Sequence, residues 1–148
     1  MAEDIQVFRD LHNAVKKAIG ARLFTISAMN MRERIARRAY TSHPADYPNT
    51  GVKEVFDDAW TDHVMKDGKS FIANTTAEFA PYFPDHAQIN ALGCHSAMNI
   101  PVFEGEEVIG TVNILDDEMH FTSEAAQQAE ALVRQYEAGL IEPLRAAL

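Results

Sequence analysis

Between residues 93 and 115 the chain reads GCHSAMNIPVFEGEEVIGTVNIL, two β-prone runs on either side of a short acidic turn that contains a glycine. This arrangement specifies a β-hairpin. Side chains alternate across a strand, so Ser96, Met98, Ile100 and Val102 share one side of the first run and His95, Ala97, Asn99 and Pro101 the other. In the second run Val108, Gly110, Val112 and Ile114 alternate with Ile109, Thr111, Asn113 and Leu115. Glu104-Gly105-Glu106 has the length of a hairpin connection, with a glycine able to take positive φ. One side of the hairpin is therefore almost purely apolar. The other carries His95, Asn99, Thr111 and Asn113, which are buried if the sheet is covered on both faces. A buried polar group needs a partner, and protein, water or a ligand can each supply it. Pro101 has no N–H to donate, so a bulge or a strand end is expected there.

The rest of the chain supplies the covering elements. Ile5, Phe8, Leu11, Val15, Ala18 and Ile19 recur at helical spacing, predicting an amphipathic helix over about 3–19 that Gly20 stops. Residues 23–28 and 34–40 read as two strands joined by a tight turn near Asn30, and residues 40–50, rich in prolines and turn formers, as a loop. From Thr50, read as an N-cap, Val52, Val55, Phe56, Ala59, Trp60, His63 and Val64 follow a helical stripe to Asp67-Gly68, with Trp60 and His63 on its buried face. Residues 69–74 form a short strand in this reading, and 75–92, with Phe79, Tyr82, Phe83 and two prolines, short helical turns of the kind that lid pockets. Thr122 caps a final helix over about 122–145 whose stripe includes Ala125, Ala129, Leu132, Val133, Tyr136, Leu140 and Leu144.

This order predicts an α+β fold: a central antiparallel sheet, the N- and C-terminal helices side by side on one face, and a pocket on the other. The terminal helices take the apolar side of the hairpin, Met98, Ile100 and Val102 with Val108, Val112 and Ile114. The mixed side then sets His95, Asn99, Thr111 and Asn113 opposite Trp60, His63 and Tyr82, with Tyr47 reaching in from its loop. An aromatic-walled cavity with a few polar groups is the form of a small-molecule site.

The 148 residues fit a single domain, 1–148, with the strand and helix core over about 21–116. A net charge of −9 opposes non-specific nucleic-acid binding, and the arginines of residues 31–39 are read as a charged, solvated edge strand. No apolar run has the length of a membrane span and the N-terminus lacks a signal-peptide pattern, so the expected location is cytoplasmic.

Gly93, the run Ser96-Ala97-Met98-Asn99-Ile100-Pro101-Val102, the glycine turn and Val108-Ile109-Gly110-Thr111-Val112-Asn113 together resemble the paired central strands of a GAF domain, the small-molecule-sensing module related to PAS domains. The element order agrees over about the whole chain. The resemblance implies a ligand pocket on the mixed sheet face, and proline is frequent in such domains at the place of Pro101. It also implies a homodimer or partner surface on the terminal helix pair.

Three function classes follow. The one adopted is a non-catalytic sensor that binds a small metabolite through Tyr47, Trp60, His63, Tyr82, His95, Asn99, Thr111 and Asn113 and signals to a downstream protein; ligand and cofactor are left unassigned. The second is an enzyme. Cys94 and His95 are the only adjacent thiol and imidazole, but neighbours on a strand face opposite sides, so no catalytic pair is assigned. By phase Cys94 goes with Met98 and Ile100 as a structural cysteine. The GAF branch that reduces free methionine sulfoxide uses several cysteines, and this chain has one. The third class is a haem, metal or chromophore domain. Ala87 follows His86 where the bilin-binding branch has its attachment cysteine, the six histidines show no ligand spacing, and Asp116-Asp117-Glu118 reads as a solvated turn; no metal site is assigned.

Overall fold

In the computed structural model, which describes residues 5–49 and 51–148, helix α1 (Gln6–Ala18) leads into β1 (Leu23–Asn30) and β2 (Ile35–Thr41). A two-residue edge strand β3 (Lys53–Glu54), helix α2 (Ala59–Thr61) with a π-helical turn over Asp62–Lys66, and β4 (Phe71–Ala73) follow. Helices α3 (Thr76–Phe79) and α4 (His86–Ala91) precede the hairpin β5 (Ser96–Glu104) and β6 (Glu107–Asp116), and α5 (Ser123–Ala146) closes the chain. The six strands form one antiparallel sheet in the order β3-β2-β1-β6-β5-β4. The expected α+β architecture is present.

Helices α1 and α5 cover one face of the sheet. Phe8, Leu11 and Val15 of α1 and Ala129, Val133, Leu140 and Leu144 of α5 pack on Phe24, Ile26, Met98, Ile100, Val112 and Ile114. Gly20 takes a φ of 82° and donates its N–H to Lys16 O, ending α1 where the sequence predicted. The first two residues of the expected 3–19 helix lie outside the described residues, as does Thr50.

The hairpin departs from strict alternation at one point. Val102 pairs with Gly110 and Phe103 with Val108, leaving Ile109 as an extra residue opposite them. This bulge shifts the phase. Ile109 joins the core under the terminal helices and Val108 turns to the other face, beside Met29 and Val64, which reverses the expected placement of Val108. The bulge or strand end expected at Pro101 is not found there: Pro101 pairs with Thr111 inside β5, and the bulged residue belongs to the opposite strand. Strand β4 ends at Phe71, opposite Asn99, so at Pro101 that edge of β5 has no strand neighbour. The edge is satisfied by α5 instead: Arg134 donates to Pro101 O, Phe103 N–H donates to Glu137 Oε2 at 2.8 Å, and the two α5 side chains form an ion pair at 2.6 Å. No ladder hydrogen bond is lost to the proline.

A larger difference concerns residues 52–66, which are not one helix. Lys53 and Glu54 pair with Ala36 and Ile35 of β2, and Val55 N–H donates to Arg34 O at 2.8 Å, holding this stretch extended. The helix starts only at Ala59, where the Asp58 carboxylate accepts the Thr61 N–H at 2.8 Å. Aspartate favours an N-cap over a helix interior, so Asp57-Asp58 starts a helix instead of continuing one. Phe56, placed by the helical stripe in the core, is 70% exposed, and Val52 49%.

Truncating the residues that differ between the two readings separates them. Leu11→Ala, under the terminal helices, is expected to destabilise by about 2–5 kcal/mol, and Phe56→Ala by no more than about 0.5 kcal/mol, in urea unfolding.

His12 supplies a pH dependence. Its Nδ1 is 2.7 Å from the Tyr40 hydroxyl and its ring stacks on Phe24 at 4.8 Å. Burial, then Lys16 and His43, lower its pKa from the ordinary value near 6.5, so the folded state prefers the neutral ring. The unfolded chain binds that proton more readily, so stability present above about pH 6.5 declines as pH falls through the unfolded and then the folded pKa. Thermal unfolding from pH 7.5 to 5.5 should show a larger drop in Tm for the wild type than for His12→Gln.

Candidate functional site

The second face of the sheet is filled at both ends and open between. At one end Leu23, Tyr47, Ala73, Phe79, Ile89, Cys94, Ala97 and Leu115 form a cluster; at the other Met29, Val55, Val64, Met65 and Val108 form a second. Between them lies a cavity of about 620 Å³, within the size range of small-molecule sites. Its floor is the sheet itself: Thr25 and Ser27 of β1, Arg38 of β2, Asn99 of β5, and Thr111 and Asn113 of β6. Phe56, Trp60, Tyr82, Phe83 and Ile89 are among its walls, and Lys53, Glu54 and Asp58 also line it.

Hydrogen bonds run along the floor in one chain. Trp60 Nε1–H donates to Asn99 Oδ1 at 2.8 Å, and Asn99 Nδ2 donates to Asn113 Oδ1 at 2.8 Å. Asn113 Nδ2 donates to the hydroxyls of Thr25 at 3.1 Å and Ser27 at 3.3 Å. Register explains the contacts, because Asn99 faces Asn113 and Asn113 faces Thr25 across adjacent strands. Beside this row lies a second: Thr111 faces Ser27, and Ser27 faces Arg38.

Arg38 is the partly buried cation of the site, its side chain 13% exposed. The guanidinium lies over the Tyr47 ring, 3.8 Å from its centroid, donates to Pro48 O at 2.6 Å and is 4.0 Å from the Asp85 carboxylate. The Tyr47 hydroxyl donates to the same carboxylate. Burial raises the Tyr47 pKa; Arg38 opposes this and Asp85 reinforces it, so the phenol stays protonated.

Of the eight residues named from the sequence, Tyr47, Trp60, Tyr82, Asn99, Thr111 and Asn113 line the cavity, whereas His63 and His95 do not. His63 sits in the π-helical turn, and the change from α to π hydrogen bonding after Trp60 carries its ring to Ser70 O, 2.8 Å from Nε2. His95 precedes the first residue of β5, so strand alternation does not reach it. The same reason corrects Cys94, which packs on the cavity-side cluster with Ala97 and Phe79 instead of with Met98 and Ile100.

Arg38, Thr25 and Ser27 are among the cavity residues not named from the sequence, and for these three the signals were there. Adjacent strand residues face opposite sides, so Arg37 and Arg38 cannot both lie on the solvated face. Arg37 reaches Ala147 O at the end of α5, and Arg38 enters the cavity. Thr25 and Ser27 alternate with Phe24, Ile26 and Ala28 in the same way.

Cys94 is fully buried, and burial, then Asp116, pushes its thiol up to about 11. Among the described residues no group of three or more histidine, cysteine, aspartate or glutamate side chains is placed to hold a metal ion, and no helix is long and apolar enough to cross a membrane.

The model of the GAF domain matches residues 5–140. The chain belongs to the GAF family. Among solved structures it is similar to the GAF domain/HD domain protein from Geobacter sulfurreducens, with a TM-score of 0.75 and 11% identity over 96% of this chain and 95% of that one. The GAF domain of a two-component sensor histidine kinase from Bacillus halodurans gives 0.72 and 9% over 99% and 96%. A type II free methionine-R-sulfoxide reductase from Thermoplasma acidophilum gives 0.67 and 11% over 99% and 94%. At such identities the shared property is the fold. No curated protein sequence matches the chain. In this GAF domain, as the sequence resemblance implied, the terminal helices and the cavity take opposite faces of the sheet.

Iodoacetamide at pH 7.5 is expected to alkylate Cys94 in the folded protein at about one-hundredth or less of the rate in denaturant, because the thiolate is the reactive form. Comparable rates in the two states would contradict the placement of this thiol.

Proposed function

We propose that this GAF domain binds a small molecule in the cavity without transforming it, and passes the bound state to another protein through its terminal helices. The observation that carries the reading is a buried chain of polar side chains lying under an aromatic-walled space of about 620 Å³. A polar network is costly to bury, and a core that only had to be filled would be served by the apolar packing found at both ends of this face.

Site roles follow from position. Trp60 and Tyr82 are the walls against which a flat ligand packs, Asn99, Asn113 and Thr111 the polar floor, and Tyr47 the support of Arg38. We assign no roles to His63 and His95, and no reductase activity, since the one cysteine is buried and its thiol is held protonated. The helix face carries the output in this reading: Val112, between Thr111 and Asn113 in β6, packs under α1 and α5, so floor and helix core alternate along one strand. A homodimer through the terminal helices, a downstream signalling protein and a cytoplasmic setting belong to the same proposal.

Trp60 emission gives the test, because the indole is both wall and reporter. A metabolite library screened by thermal shift should yield a compound that raises Tm and perturbs the emission of the wild type. Trp60→Ala and Asn113→Ala, each with its fold verified by circular dichroism, should abolish the shift in Tm. Unchanged affinity in both variants would remove the cavity as the binding site.

A further inference from the structure

The hydrogen-bond chain on the cavity floor has a direction, and one residue sets it. Asparagine oxygen and nitrogen exchange places easily in a structure, but an indole N–H can only donate. Trp60 therefore requires the Asn99 oxygen, at 2.8 Å, which leaves Asn99 Nδ2 for Asn113 and obliges Asn113 to present its oxygen there. Asn113 Nδ2 is then left to donate to Thr25 and Ser27. Those hydroxyls accept, and their protons go elsewhere.

Neither hydroxyl donates to any described residue, and no described residue bonds the hydroxyl of Thr111, which is 2% exposed and lines the cavity. Thr111, Ser27 and Arg38 occupy one row across three neighbouring strands, with Thr25 next to Ser27 along β1. Thr111 and Ser27 face each other on strands about 4.8 Å apart, and the Thr25 and Ser27 hydroxyls lie 3.1 and 3.3 Å from the one Asn113 Nδ2, so the three O–H groups cluster on one patch of floor with the guanidinium at its side. Both asparagine oxygens are already used by donors. The three hydroxyl protons are the floor's unspent donors, and the group that fits them is an acceptor.

We propose that the cavity takes a planar aromatic acid, with its carboxylate on the hydroxyls of Thr25, Ser27 and Thr111 beside Arg38, and its ring between Trp60 and Tyr82. This rests on the reading of the cavity as a ligand site. The lining carries two cations, Arg38 and Lys53, against three carboxylates, Glu54, Asp58 and Asp85, so a single carboxylate would be held by the hydroxyl donors with Arg38 at its side rather than by a surplus of positive charge. A phosphate dianion would lack counter-charge in a chain of net charge −9. The aromatic walls favour a flat ring, and about 620 Å³ accommodates one or two fused rings.

Matched pairs decide it: benzoate and benzamide, indole-3-carboxylate and indole-3-carboxamide, 2-naphthoate and 2-naphthamide. Each is titrated at pH 7.5 by saturation-transfer NMR into the wild type, Thr111→Val, Arg38→Gln and Trp60→Ala, with folding checked by circular dichroism and Ser27→Ala in reserve should Arg38→Gln fail to fold. At least one acid should bind about tenfold or more tighter than its amide, whose NH₂ cannot accept the hydroxyl protons and carries no charge for Arg38. Thr111→Val and Arg38→Gln should each cut that preference severalfold, and Trp60→Ala should weaken both members of the pair. Amides binding as tightly as acids, with both lost in Trp60→Ala, would overturn the acid while keeping the cavity. Acid preference that survives Thr111→Val would overturn the floor assignment. Binding indifferent to Trp60→Ala would overturn the cavity reading itself. No binding by any member at about 10 mM would overturn the aromatic acid and leave the cavity reading to the library screen.

Discussion

Two buried asparagines facing each other across the β5–β6 ladder are the constraint on which the cavity face depends. Asn99 and Asn113 bond to one another at 2.8 Å, and neither could stay in a dry core with its amide unmet. Their outer partners are Trp60 on one side and Thr25 and Ser27 on the other, so the pair ties the 59–66 segment to the centre of the sheet. That tie stands beside a second one. Arg34 of the β1–β2 connection donates to Asp57 at 2.7 Å and to Val55 O at 3.3 Å. With both in place residues 55–60 are held at two points beside the cavity.

The opposite face follows simpler rules. Apolar residues of β1, β5 and β6 meet the stripes of α1 and α5, and the polar edge of β5 is completed by Arg134 and Glu137. Gly110 brings Leu144 of α5 close: a Cβ there would lie 2.5 Å from Ser27 O and 3.0 Å from Leu144 Cδ1, so only glycine fits. Because the sheet is one layer thick, floor and core residues are neighbours in sequence, as with Ser27 between Ile26 and Ala28. A change in what fills the cavity therefore acts on strands that the output helices already rest upon, which is the physical content of the sensor proposal.

Much of this was legible in the sequence. Alternation in the hairpin placed Asn99, Thr111 and Asn113 on the cavity face, and helical spacing found α1 and α5, because both patterns are set by local geometry. What failed were the places where a local pattern is interrupted. One bulged residue, Ile109, exchanged the faces of Val108 and itself. The apolar stripe of 52–66 resembled a helix, yet pairing with the edge of β2 is a long-range event that periodicity does not report. Cys94 and His95 lie before the strand begins, so phase could not be extended to them. Arg38 was missed because a run of arginines reads as a surface, although two adjacent strand residues must divide between the faces.

The central claim is that Trp60 sets the direction of the polar chain and leaves three hydroxyl donors toward the cavity. Neutron diffraction from deuterium-exchanged crystals of the unliganded protein would read it atom by atom. The account predicts deuterium on Trp60 Nε1 facing Asn99 Oδ1, on Asn99 Nδ2 facing Asn113 Oδ1, and on the Thr25, Ser27 and Thr111 oxygens pointing into the cavity. Hydroxyl deuterium on backbone carbonyls, or an Asn113 oxygen turned toward Thr25, would contradict it.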